Sequence, residues 1–542
     1  MKCKQATYVL VAAVLVLVLA LSTRVYFGFT KESFHVDEGI TLALTNGNWA
    51  PGMDVVTKDA WISGDVAKDM TFNATIAERG SPDIKAIAIS TAHDVHPPLY
   101  YWLFGYARTI LGVHRSVTAG YVLNLALFML SCVFFVALVR RIWSDPVIII
   151  AALACFVLSS AAVSLSVFLR MYELLQTVCL GLLLSAHCVL FPSAKAEQSV
   201  LSRSLEFWLG LVGLFACALA GFLTQYYFIF FVAPVCAFAL VWLLVQKRPG
   251  DLFWGIVAVL AAFYLADMIF PPMKAHLTES YRAKQSIQNF ASAAKPLTRL
   301  GSVLVYIGII SRNLVPLAVL VAGIGLAVWN RIVSAKTIRK EDEARPVSAR
   351  VLDARYEAGS TALFLFIFLT TFSIIAVSAP YQTVRYVAAF FPVYVLAFTG
   401  LMRMVLSSRQ ARVLVAAAAL LIAIHGLQKS NLLDFHEDYT TDTPAYYMTD
   451  EHPLIMMGTI GGTWKTPLVY VNIASSKDLY VTGADYGANL SRRLDSIADE
   501  IVNAKGGNTV YALVCDYFEN KPGWEEIGYY GFYWVFKKSY SQ

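Results

Sequence analysis

The sequence predicts a polytopic α-helical membrane protein with a soluble α/β domain at its C-terminal end. Three observations predict it. The 542 residues are 58% hydrophobic and only 15% charged, with a mean hydropathy of +0.59; a soluble chain of this length needs more charge to cover its surface. The apolar residues come in blocks of about 20, the length that crosses a bilayer. From residue 428 onward the blocks stop, and short strand-like runs and one amphipathic helix take over.

The blocks place about eleven spans at 7–27, 117–139, 146–167, 172–191, 206–223, 227–246, 252–270, 312–332, 360–379, 386–402 and 412–427. The first is read as uncleaved, because its apolar run continues to about Phe27 and no A-x-A site follows. The segment 98–112, PLYYWLFGYARTILG, is too short to span. Its Tyr and Trp residues suit a juxtamembrane helix at the interface. No acidic or basic residue falls at the middle of a span, and Asp267 and Glu173 lie near outer ends. Transporters usually place ionisable groups at the midplane, so this pattern counts against one.

Positive charge orients the spans. With Lys2 and Lys4 cytoplasmic, the inside loops carry Arg140 and Arg141, Lys195 and Arg203, Lys247 and Arg248, and Arg403, Arg409 and Arg412. The longest, 333–358, holds Lys336, Arg339, Lys340, Arg345, Arg350 and Arg355. Cytoplasmic loops collect Lys and Arg in this way. The expected location is therefore a cell membrane crossed many times, with the N-terminus cytoplasmic. The outside receives loop 28–116, short turns near 168–171, 224–226 and 380–385, loop 271–311 and the C-terminal region. The domain division follows: 1–427 spans the membrane and carries loop 28–116, and 428–542 is an extracytoplasmic α/β domain. Its expected strands are Pro467–Ile473, Asp478–Thr482, Thr509–Val514 and Gly531–Phe536. Leu490, Leu494, Ile497 and Ile501 recur at helical spacing between them. The net charge of +6 needs no nucleic acid, since membrane orientation accounts for it. The eight cysteines form no CxxC pair and no disulfide framework; six lie in spans, and Cys3 and Cys515 lie near the start and in the C-terminal region.

The chemistry-bearing residues gather on the outside. Loop 28–116 opens with Phe34-His35-Val36-Asp37-Glu38-Gly39 and closes with His93-Asp94-Val95-His96-Pro97-Pro98-Leu99-Tyr100-Tyr101. A carboxylate pair just above a membrane suits general-base work. A hydroxyl that attacks a sugar leaving a lipid phosphate must lose its proton as the bond forms. The same dipeptide also serves as charge at the start of a helix. Arg170-Met171-Tyr172, Thr224-Gln225-Tyr226 and Arg385-Tyr386 mark three further outer boundaries. Guanidinium groups there pair with a phosphate in two-pronged geometry, or act as interfacial anchors. Loop 271–311 carries Lys274, His276, Arg282 and Lys284, either a lid over the phosphate or a solvated basic loop.

The ordered set of DEG after the first span, DVHPPLYYWLF, LRMYELL and VRYVAAFFP resembles the glycosyltransferase family 39 type of GT-C membrane enzymes. That group includes protein O-mannosyltransferases and the aminoarabinose transferase of lipid A. The resemblance covers about residues 1–427. It implies a GT-C-like fold, a polyprenyl-phosphate sugar donor, and inverting transfer of a hexosyl or pentosyl group on the outer face. By that resemblance Asp37 is the catalytic base and Glu38 places the acceptor or the base. His96 and Pro97 shape the donor pocket. Arg170, Tyr172, Tyr226, Arg385 and Tyr386 meet its phosphate and sugar. Lys274, Arg282 and Lys284 form the possible lid. Two motifs depart from the pattern: TQY at 224–226 where many relatives have THY, and HPP where the lipid A branch often has KPP, which points away from aminoarabinose.

No cofactor is expected. The alternative is a divalent metal on His35, Asp37, Glu38, His93, Asp94 and His96, whose types suit ligands while their spacing does not. The alternative function is a lipid or solute transporter or flippase without transfer; clustering of the motifs on one side favours the enzyme. The sugar and the acceptor, whether glycan, lipid or protein, are not written in these motifs.

Overall fold

The computed structural model describes residues 2–31, 34–45, 60–63, 82–112, 116–192, 200–292, 296–313, 347–380, 383–432, 452–459, 479–484, 489–514, 523–530 and 533–541. The expected span 312–332 lies almost wholly outside them. The basic residues Lys336, Arg339, Lys340 and Arg345, the expected strand Pro467–Ile473 and Cys515 lie outside them altogether. The chain forms two compact units that cut across the linear boundary at 427/428. One comprises Met1–Phe29, Asn124–Val167 and Met171–Leu433; the other comprises Thr30–Leu123, Phe168–Arg170 and Asp434–Gln542.

The first unit is the membrane bundle. Among the described residues, eight helices are long and apolar enough to span: Leu10–Phe29, Val117–Ile142, Tyr172–Leu190, Leu205–Phe222, Tyr226–Val245, Pro249–Ile269, Tyr356–Ser378 and Ser408–Gly426. One further apolar stretch is divided. Pro146–Val157 and Ser160–Val167 meet at a bend of 49°, where a single span 146–167 was expected. The expected span 386–402 becomes a short turn of helix, Arg385–Ala388, and a 15-residue apolar helix, Phe391–Val405, with Pro392 in its first turn. Proline lacks the N–H an upstream carbonyl would need, so it starts a helix and does not continue one.

The bend is held by side chains that replace the missing backbone bonds. Ser159 Oγ accepts the Ala162 N–H, capping the second half. Arg24 Nη1 reaches across to donate to the freed Val157 carbonyl at 2.8 Å. Inside a bilayer an unmatched carbonyl is costly, so a broken helix persists only where such donors exist. Arg24 is itself buried. Its Nε donates to Ser166 Oγ at 2.9 Å, that hydroxyl lies 2.9 Å from Glu173 Oε2, and Phe128 covers the guanidinium at 3.6 Å. Close helix approach uses small residues: Gly210 and Gly213 meet Ser185 on the neighbouring helix, and a Cβ at Gly426 would collide with the Leu158 carbonyl at the bend.

The second unit is a layered α/β structure. Its six strands are β1 (Ala60–Ile62), β2 (Leu454–Thr459), β3 (Leu479–Ala484), β4 (Thr509–Val514), β5 (Trp524–Tyr530) and β6 (Tyr533–Ser539), in the order β1-β3-β2-β4-β6-β5. The centre is parallel, β3 and β4 flanking β2, and the edges are antiparallel. β4 reads TVYALV with every residue buried, the continuous apolar run of a strand covered on both faces. One cover is the expected amphipathic helix, Asn489–Lys505, which sets Leu494, Ile497 and Ile501 against Ile455, Met457, Val510, Ala512 and Val514. The other cover comes from the first loop. Ile40 and Leu44 of helix Val36–Thr45, Ile87 of helix Ile84–His93 and Tyr101 of helix Leu99–Leu111 pack on Leu454, Met456, Tyr511 and Leu513. Loop 28–116 even supplies the edge strand β1, paired antiparallel with β3. This interleaving is why the compact unit joins residues that a linear cut at 427 separates.

Candidate active site

Asp37 and Glu38 occupy the first turn of helix Val36–Thr45, one turn earlier than a helix starting at Gly39. His35 caps it. Its Nδ1 accepts the Asp37 N–H at 2.9 Å, and Glu38 Oε2 accepts the His35 N–H at 2.8 Å. This is the reciprocal logic of a capping box with histidine in the capping place. Because Nδ1 accepts, it carries no proton, and the 3.9 Å approach of Asp37 Oδ2 to that nitrogen is not an ion pair.

The two carboxylates have different surroundings. Glu38 is fully buried and takes Lys31 Nζ on both oxygens, at 2.6 and 2.7 Å. Its Oε1 also accepts the Leu169 N–H at 2.9 Å. Glu38 therefore ties three stretches of chain together. The side chain of Asp37 is 16% exposed and stands at the positive end of the helix, where an anion is favoured.

The polar stripe of this helix, Asp37, Thr41 and Thr45 at four-residue spacing, faces two buried arginines. Arg170 Nη1 donates to Thr41 Oγ1 at 3.0 Å and to the Asp37 carbonyl at 3.3 Å. Arg108 Nη1 donates to Thr45 Oγ1 at 3.0 Å. Burial pushes the Arg108 guanidinium down to about 10, still far above neutrality, so its grip on Thr45 is charged.

The DVHPP segment delivers the other groups. Helix Ile84–His93 ends with the Asp94 N–H on Ser90 O and the His96 N–H on Thr91 O, and Val95 between them has φ 60°. That is the Schellman arrangement with valine where glycine is usual. A β-branched residue is strained there. The turn brings Asp94 and His96 together. His96 Nδ1 lies 2.8 Å from Asp94 Oδ2 and 2.7 Å from the Asp94 carbonyl, two acceptors, so Nδ1 bears the proton. Nε2 then accepts from Arg170 Nη2 at 3.4 Å, and Asp94 Oδ2 lies 3.6 Å from the same nitrogen. Pro97 and Pro98 are buried and launch helix Leu99–Leu111.

The structure thus brings Asp37, Glu38, His96, Pro97 and Arg170 into the same unit. Tyr172, Tyr226, Arg385 and Tyr386 belong to the membrane bundle, as do Lys274, Arg282 and Lys284. There, Tyr226 Oη meets His276 Nδ1 at 2.8 Å, and Tyr227 packs edge-on against Tyr386 with centroids 4.8 Å apart. Arg385 opens the short helix Arg385–Ala388. Arg282 and Lys284 stand on helix Tyr281–Ser292, none of whose residues is buried, and Lys274 is 69% exposed and pairs with Asp267 at 2.7 Å.

Sequence reasoning missed Lys31, Thr41, Thr45, Arg108, Leu169 and Tyr227. The i, i+4 threonines behind Asp37 were a readable signal; the backbone N–H of Leu169 was not. Among the described residues no group of three or more His, Cys, Asp or Glu is placed to hold a metal ion.

No family model matches the chain, and no curated protein matches it in sequence. Solved structures do share its fold. ArnT from Cupriavidus metallidurans bound to undecaprenyl phosphate aligns with a TM-score of 0.53 at 13% identity, over 97% of this chain and 97% of that one. The apo state of that ArnT gives 0.50 at 14% identity with the same coverage. The chain is a multi-pass membrane protein with a GT-C glycosyltransferase-like fold.

Proposed function

We propose that this protein transfers a sugar from a polyprenyl-phosphate donor to a hydroxyl acceptor on the outer face of the membrane, with inversion and with Asp37 as general base. The observation that carries the reading is the asymmetry of the two carboxylates. Glu38 is consumed by Lys31, His35 and Leu169, while Asp37 keeps an exposed edge and has its backbone gripped by Arg170. The likeness to a structure bound to undecaprenyl phosphate supports the donor class.

In the step proposed, the acceptor oxygen attacks the anomeric carbon and the carbon–oxygen bond to phosphate breaks. Polyprenyl phosphate leaves with that electron pair, and the acceptor proton passes to Asp37. Arg170 holds the base helix and turns its Nη2 edge to His96 and Asp94. By the resemblance, Arg170, Tyr172, Tyr226, Arg385 and Tyr386 serve the donor phosphate and sugar, and Lys274, Arg282 and Lys284 form the lid. Glu38 acts by placing the base, through the chain segments it joins. The charge of the inside loops puts the N-terminus in the cytoplasm and the α/β unit outside.

The test is turnover of polyprenyl-phosphate sugars by purified protein in nanodiscs, with a soluble nucleotide sugar as the contrasting donor. Asp37→Asn keeps the shape but cannot take a proton, so its rate should fall by about 10²–10⁴ with folding intact. Transfer from the nucleotide sugar, or near-native turnover by Asp37→Asn, overturns the proposal.

A further inference from the structure

The role of the C-terminal region can be read from which face of its sheet meets which helix. On β2, Leu454 and Met456 point to one side and Ile455 and Met457 to the other, as the two-residue period of a strand requires. The Met456 side packs with Ile40 and Leu44, two apolar residues of the helix whose first turn holds Asp37. It also packs with Tyr101, whose ring lies 6.0 Å from the Arg170 guanidinium carbon. The Met457 side packs with Leu494, Ile497 and Ile501 of helix Asn489–Lys505, which carries none of the site residues. β4 repeats the pattern, with Tyr511 and Leu513 toward the site helices and Val510, Ala512 and Val514 away.

Helix Val36–Thr45 has only ten residues, too few to hold its shape alone in water. Its position is set by what its sides touch: arginines on the polar stripe, the sheet on the apolar one. We infer that the C-terminal sheet is the positioning platform of the catalytic base, with Met456 and Leu513 as positioning residues that act on Asp37 through Ile40 and Leu44, and on Arg170 through Tyr101. The C-terminal region is then part of the transfer machinery and not a separate binding module. This rests on the reading of Asp37 as the base.

Met456 and Met457 make a matched pair: the same side chain, adjacent on one strand, 0% and 1% exposed, on opposite faces. Removing either leaves a cavity of the same chemistry, so both Ala variants should lose comparable stability. Only the site-side cavity loosens the base helix. Met456→Ala should lower kcat about ten-fold or more with donor KM little changed, because small misplacements of a reacting group are expensive in rate. Met457→Ala should keep kcat per folded molecule, and Met456→Leu should restore most of the loss. Hydrogen exchange gives a readout independent of turnover: Met456→Ala should speed exchange in 36–45 and 99–111, and Met457→Ala in 489–505. Leu513→Val and Val514→Ala serve as a gentler pair if the methionine variants fail to fold. Equal kcat in the two methionine variants, or unchanged exchange in 36–45 for Met456→Ala, overturns the inference. Wild-type protein inert toward every polyprenyl-phosphate sugar would instead overturn the proposed function, while the exchange result would still decide the platform.

Discussion

Glu38→Ala is the most demanding perturbation of the site. The Glu38 carboxylate accepts from Lys31 Nζ at 2.6 and 2.7 Å, from the His35 N–H at 2.8 Å and from the Leu169 N–H at 2.9 Å. The Lys31 side chain is 1% exposed, so alanine strands an ammonium where water scarcely reaches. Removing one partner of a buried ion pair costs about 3–5 kcal/mol, and each orphaned N–H about 1–3 kcal/mol. These terms overlap, because water entering the new space serves all three donors. The expected loss is therefore about 3–5 kcal/mol in total, a factor of about 10²–10⁴ in the folded population. Glu38→Gln should lose less, since one oxygen remains to accept. Pairing it with Lys31→Met removes the stranded charge, and the double variant should recover at least about 1 kcal/mol relative to the sum of the singles. Denaturant unfolding of purified protein in detergent, followed by tryptophan fluorescence, measures all four. A loss below about 1 kcal/mol for Glu38→Ala, or strict additivity in the cycle, would refute the view that this carboxylate binds the three segments together.

Three further outcomes follow from the same geometry. Arg170→Lys should cut turnover about 10–100-fold, because one ammonium cannot reach Thr41 Oγ1, the Asp37 carbonyl and His96 together; kcat near wild type would remove Arg170 from that role. Val95→Gly should leave thermal stability within about 1 kcal/mol of wild type, since relief of about 1–2 kcal/mol of left-handed strain offsets about 0.5–1 kcal/mol of added chain entropy; a larger loss would mean that valine packs more than it strains. On the sheet's outer cover, hydrogen bonds from Tyr540 and then Lys538 hold Asp499 below the usual carboxylate range. A depressed carboxylate contributes stability above its unfolded value and loses it as pH falls through its folded one, so Tyr540→Phe should weaken the unit at neutral pH and flatten its acid limb below about pH 4; an unchanged pH profile would count against the contact.

The bundle was legible in the sequence wherever a span is a continuous apolar block. Leu10–Phe29, Val117–Ile142 and Pro249–Ile269 follow the hydropathy because each helix satisfies its own backbone and only needs to be long and oily. The break at Leu158–Ser159 was not legible, because LSS reads as an ordinary apolar-to-small stretch. The donor that satisfies its freed carbonyl is Arg24, 133 residues away from Val157. The candidate site divides in the same way. DEG and DVHPP are local strings, and the residues they contain could be named from the string alone. That Glu38 is sequestered while Asp37 keeps an exposed edge depends on Lys31, Leu169 and Arg170, whose contacts are made only when the chain has closed on itself.

The C-terminal region shows the boundary most clearly. The TVYALV run and the helical spacing of Leu494, Ile497 and Ile501 are properties of a few adjacent residues, and both elements lie where that periodicity puts them. β1 is three residues, Ala60–Ile62, too short to carry a period, and it becomes a strand because β3 offers it an edge. Sequence alone determined which segments are apolar, how long they are and which faces of strand and helix seek cover, since these are set by neighbours along the chain. Tertiary structure alone decided what covers each face. Burial and long-range hydrogen bonds pair residues far apart in sequence, and their free energy appears only when both partners have left water.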